Sequence, residues 1–112
     1  MAIYDRGDVV KVSQQSSAGK IHTEYFVVLS RMPFNRIGRS LVAPIVFGDF
    51  DFSSITSFVV PVQIKCRSAV PAYILIHGVK MLDLNSPNSA KVEAAPNDVL
   101  DDVLARLQAV ID

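Results

Sequence analysis

Two short apolar runs, Tyr25–Leu29 (YFVVL) and Leu41–Val46 (LVAPIV), constrain this chain more than any other feature. Each is rich in Val, Leu and Ile and too short for an ordinary helix, and between them stand Arg31, Pro33, Asn35, Arg36, Gly38 and Arg39. β-branched runs bounded by Pro, Asn and Gly read as buried strands, so Glu24–Val46 is expected to form strand, basic loop, strand. The loop sets three guanidinium groups within nine residues, the densest positive charge in the chain.

Further strands are expected on both sides. Arg6–Ser13 (RGDVVKVS) alternates loosely, and Ser13–Lys20 (SQQSSAGK) has no large apolar residue and reads as a loop. Phe47–Ser57 reads as a polar loop dotted with Phe47, Phe50 and Phe52. Ser57–Lys65 is strand-like, but Pro61 cannot donate to a ladder and points to an edge or a bulge. Ala72–Ile76 reads as another buried strand ending at His77-Gly78, and Val79–Leu84 as a strand or a short helix. Asn85–Pro96, with two prolines, reads as a linker. Beyond it, Leu100, Val103, Leu104, Leu107 and Ile111 form one helical stripe, with Asn97 as the expected N-cap. The expected product is a single mostly β domain over residues 1–112: a small barrel with a C-terminal amphipathic helix.

Length and charge narrow the class. A chain of 112 residues has room for one core. No apolar run reaches the ~20 residues of a membrane span, and Met1–Lys11 carries Asp5, Arg6 and Asp8 where a secretory signal would be apolar, so a cytoplasmic location is expected. The single Cys66 and two histidines cannot build a zinc site, and no cofactor is expected. Net charge is zero, yet residues 1–40 hold six basic and three acidic side chains while residues 81–112 hold two and six. That gradient suits a polyanion at one side or an oppositely charged partner at the other.

Several motifs in order resemble the MazF/PemK toxin family: Arg6-Gly7-Asp8-Val9-Val10, Ala18-Gly19, Val27-Val28-Leu29-Ser30, Phe34-Asn35-Arg36, Leu41-Val42-Ala43-Pro44-Ile45 and the helix Val103–Ile111. The resemblance implies an SH3-like barrel, shared with the gyrase inhibitor CcdB. It further implies a homodimer whose groove takes single-stranded RNA, a cognate antitoxin with an acidic tail, and metal-free ribosome-independent RNA cleavage. The chain departs from the pattern at Glu24-Tyr25, where the family usually has Arg-Pro, and at Val46-Phe47, where Thr-Ser or Thr-Thr is common. Leu75 and His77 stand where the PemK branch carries an Arg-x-Asp.

Cleavage through a 2′,3′-cyclic phosphate needs a base for the 2′-OH, an acid for the 5′-oxygen and cations for the phosphorane. His22 and His77 are the expected catalytic pair, since both can titrate near neutrality. Lys20, Arg31, Arg36 and Arg39 are the expected RNA contacts, guanidinium being able to grip phosphate with two N–H bonds. Glu24 is expected in a surface ion pair with Arg31 or Arg36, and Cys66 as a small core or strand residue. The phenylalanines of the 47–52 loop are read as stacking bases, pinning the loop onto the barrel or filling a dimer interface. Two further readings stand beside cleavage. One is a non-catalytic binding protein on the same fold, either a degenerate relative or a CcdB-like gyrase inhibitor; CcdB ends in Trp-Gly-Ile, whereas this chain ends Val110-Ile111-Asp112 and has no tryptophan. The other is a generic structural domain of a phage or mobile element.

Overall fold

The structure, a computed structural model, describes residues 3–15, 17–84 and 88–111. Among them are seven strands and two α-helices: β1 (Asp8–Gln15), β2 (Ile21–Val28), α1 (Met32–Asn35), β3 (Ser40–Phe47), β4 (Val59–Val62), β5 (Ala72–Leu75), β6 (Lys80–Leu82), β7 (Ser89–Ala94) and α2 (Asn97–Ile111). Short 3₁₀ turns lie at Thr56–Phe58, Lys65–Arg67 and Ile76–Gly78.

All pairings are antiparallel, in the order β4-β5-β3-β2-β1-β7. β3 is the hub. β2 flanks one side of it, while β5 and β6 share the other, with Ile45 facing Ile74 and Val42 facing Lys80. Successive residues of a strand point to opposite faces, and both faces here are covered, which is why the two runs read as continuously apolar. Val27, Ala43, Ile45, Ile74 and Val103 share one core, and Tyr4, Val10, Phe26, Val28, Val42 and Leu84 share the other. The sheet curls until its edges meet. The backbone N–H of Lys65, just past β4, donates to both carboxylate oxygens of Glu93 on β7, at 3.0 and 3.2 Å.

The expected mostly β barrel with a C-terminal helix is what forms, and Pro61 does lie on an edge strand. Four local expectations are corrected. The basic loop contains α1, because Pro33 is favourable in a first helical turn and Asn35 is buried. The linker Asn85–Pro96 contains β7, which covers β1 and so supplies the closing edge; Asn85–Pro87 lie outside the described residues, as does Ser16 of the first loop. α2 starts one residue early, its first bond running from Leu100 N–H to the Pro96 carbonyl at 3.0 Å, so Pro96 rather than Asn97 is the cap. The apolar stripe stops at Leu107: Val99, Leu100, Leu104 and Leu107 pack against the core that holds the fully buried Val103, whereas Ile111 is 74% exposed. In addition Cys66, expected in the core or a strand, is exposed on a 3₁₀ turn.

Candidate functional site

The start of β2 and the end of β3 build a groove. Tyr25 pairs with Ile45, and one step further the chain carries Glu24 on β2 and Val46 on β3. Both departures from the family pattern therefore fall side by side, and with Thr23, Pro44, Phe47, Phe50 and Arg67 they line a cavity of about 390 Å³. Gly48 ends β3 with φ of 129°, a conformation that side-chain-bearing residues rarely adopt, and its N–H donates to the Pro71 carbonyl at 2.9 Å. That reversal returns Phe50 to the rim of the groove. Rings continue away from it: Phe50 to Phe52 at 5.5 Å, then Phe52 to Tyr73 at 5.0 Å.

The groove's cation comes from elsewhere in the chain. Arg67, on the turn after β4, holds its guanidinium carbon 4.2 Å from the centre of the Phe47 ring and 5.9 Å from that of Tyr25. Those two rings meet edge to face at 5.0 Å. Such contacts contribute about 0.5–1 kcal/mol at exposed sites, enough to bias a long side chain toward one position. Among the described residues no carboxylate lies within ion-pair distance of Arg67.

The residues expected to act are divided between two ends of the sheet. His22 lies three residues before Tyr25 on β2, and His77 three residues after Ile74; both Tyr25 and Ile74 face Ile45. Because β2 and β5 both run antiparallel to β3, the two histidines lie in opposite directions from Ile45, with β3 between their strands. One chain does not bring them together. His22 is exposed within β2, and His77 sits against the Phe58 ring at 6.4 Å. Gly78 follows His77 because a Cβ there would meet Pro44 Cγ at 2.7 Å. Lys20 is exposed just ahead of β2, at the groove end. Arg31, Arg36 and Arg39 are exposed around α1, at the far end of β3, so the expected ion pair between Glu24 and Arg31 or Arg36 does not form.

The α1 segment is instead a structural joint. Asn35 is buried and donates through Nδ2 to the carbonyls of Tyr4 at 2.7 Å and Ser30 at 3.0 Å, while its Oδ1 accepts from the Ser30 hydroxyl. Ser30 Oγ in turn accepts from Leu41 N–H at 2.9 Å. Asp5 Oδ1 accepts from the backbone N–H of Arg6 at 2.8 Å and of Met32, the first residue of α1, at 2.9 Å. Those two N–H groups, Arg6 first, hold the Asp5 carboxyl below its ordinary value of 3.8.

Sequence reasoning missed Arg67. The signal available was the pair Lys65 and Arg67 directly after an edge strand, but nothing in the sequence shows that the curled sheet swings this turn over Phe47. A larger cavity of about 550 Å³ near the start of α2 is lined by Pro61, Pro71, Tyr73, Pro96 and Val99 with Asp98 as its one charged group, and so has no cation to offer an anion. Among the described residues no three His, Cys, Asp or Glu side chains converge, and no helix is long and apolar enough to cross a membrane.

Residues 5–111 match the family described as PemK-like, MazF-like toxin of type II toxin–antitoxin systems. The endoribonuclease toxin ChpB of Escherichia coli K12 is 33% identical over 116 aligned positions, covering 97% of this chain and 95% of ChpB. The fold is that of MazF from Deinococcus radiodurans. A crystal structure of its MazE–MazF complex superposes with a TM-score of 0.78 at 22% identity, over 98% of this chain and 97% of that one. MazF of the same organism in a further crystal structure gives 0.76 at 21%, over 99% and 98%.

Proposed function

This chain belongs to the PemK/MazF-like toxins of type II toxin–antitoxin systems, and we propose that it cleaves single-stranded RNA in the groove between β2 and β3. The observation that carries this reading is the convergence of Glu24, Tyr25, Phe47, Phe50 and Arg67 on one cavity. A carboxylate there can take a 2′-OH proton, a guanidinium can stabilise the phosphorane, and exposed rings can hold unstacked bases. We assign Glu24 as base. His22, two residues earlier and so on the same face of β2, stands roughly 7 Å along the strand and serves as the acid for the leaving 5′-oxygen. Lys20, next to it, and the arginines around α1 extend the basic path for the strand.

The toxin works as a homodimer in the cytoplasm and is silenced by an antitoxin with an acidic tail. A dimer is supported by apolar side chains left exposed around α1 and β6, namely Phe34 at 46%, Ile37 at 83% and Met81 at 41%. An acidic tail is supported by the cation on Phe47, and a neighbouring structure is itself a MazE–MazF complex.

The test is incubation of purified protein with ribosome-free single-stranded RNA. Products ending in 2′,3′-cyclic phosphate, and none from RNA bearing 2′-deoxy at the cut position, are expected. RNA left intact across a broad pH range, under conditions in which ChpB cuts, would refute cleavage. Val46, which has no hydroxyl where the family commonly has Thr, favours a second reading in which the groove binds RNA without cutting it; the same experiment with a binding readout separates the two.

A further inference from the structure

Arg67 lies over two aromatic rings and, among the described residues, within ion-pair distance of no acid. A guanidinium lying on a ring keeps its N–H edge free in its own plane, and that edge matches two oxygens of a phosphate. Arg67 is also the one cation among the residues lining the cavity, facing a rim that includes the carboxylate of Glu24. An approaching polyanion is therefore repelled there unless it reaches Arg67. Phe50, on the same rim, is 51% exposed and braced from behind by Phe52. A fixed guanidinium beside an open ring fits a nucleotide, which offers a phosphate and a flat base together; an acidic peptide offers only the charge.

We propose that Arg67 is the phosphate-binding residue of the groove and that Phe50 stacks the adjoining base. The inference rests on the reading of the groove as an RNA site. Binding of a short single-stranded 2′-O-methyl RNA of mixed sequence, which cannot be cut, is measured against salt for wild type, Arg67→Ala, Arg67→Lys and Phe50→Ala. Arg67→Ala is expected to weaken binding and to flatten the slope of log K against log salt by about 0.7, one single-strand phosphate contact. Arg67→Lys keeps the slope but not the full affinity, because ammonium neither forks nor stacks in the same way. Phe50→Ala weakens binding by roughly 5- to 150-fold with the slope unchanged. Both side chains replaced, Arg67 and Phe50, are exposed, so melting behaviour stays that of wild type.

Arg67→Ala with wild-type affinity and slope overturns the assignment while leaving an RNA-binding wild type intact. A wild type that shows these effects yet leaves unmodified RNA uncut upholds the assignment and defeats cleavage. A wild type that binds no RNA defeats both.

Discussion

The Arg67 guanidinium lies 4.2 Å from the centre of the Phe47 ring, although one residue follows the edge strand β4 and the other ends the hub strand β3. That contact ties the turn after an edge strand to the hub strand at the mouth of the groove. It also restores positive charge beside Glu24 and Val46, where the family pattern places arginine and threonine and this chain has neither. Charge at this site is thus delivered by tertiary structure, from a turn, and not by the strand itself.

The histidines can be separated by mutation. His22→Ala should lower the cleavage rate by ~10²–10⁴-fold, the usual contribution of a positioned acid or base, while His77→Ala leaves it within about twofold. Single-turnover rates on RNA decide this. Equal losses in both variants would mean that the two histidines meet in a way one chain does not provide.

Asn35→Ala removes the donors that the Tyr4 and Ser30 carbonyls use inside the protein. Leaving buried acceptors unsatisfied costs about 1–3 kcal/mol, so the denaturation midpoint should fall with an unchanged m-value. RNA cleavage per folded molecule should stay the same, marking Asn35 within the Phe34-Asn35-Arg36 motif as structural.

Asp5→Asn should reveal a pH-dependent tie between the segment ahead of β1 and α1. The Asp5 carboxyl is held below 3.8 by the N–H groups of Arg6 and Met32, so ionised Asp5 favours the folded state. That contribution is fully present above 3.8 and is lost as pH falls through the lower folded-state value. Melting temperatures of wild type and variant should differ at neutral pH and converge in acid; a constant gap would show that the charge is not what holds the joint.

Leu104 and Ile111 test the face of α2. Leu104 packs on the core beside Val103, and Leu104→Asp places a charge against apolar neighbours and should unfold the chain. Ile111 is 74% exposed, so Ile111→Asp should change the stability of the single chain by no more than about 0.5 kcal/mol. Chemical denaturation at low protein concentration makes the comparison.

The sequence by itself determined the strands Tyr25–Leu29 and Leu41–Val46, the edge position of Pro61 and most of the helical stripe, because these follow from side-chain period and the missing proline donor. It also determined family membership through motifs spread along the chain. It misread α1 and β7 because each is held by distant partners: Asn35 and Asp5 fasten α1, and β7 exists by pairing with β1. It placed His22 and His77 in one mechanism because separation along a chain says nothing of direction along a sheet. Only the tertiary structure decided that the two depart in opposite directions from Ile45. Only the curl that lets Lys65 reach Glu93 decided that Arg67, and none of the three loop arginines, supplies the charge on Phe47. The physical reason is that strand formation is set by neighbours in sequence, whereas a binding groove is set by which strands close on which.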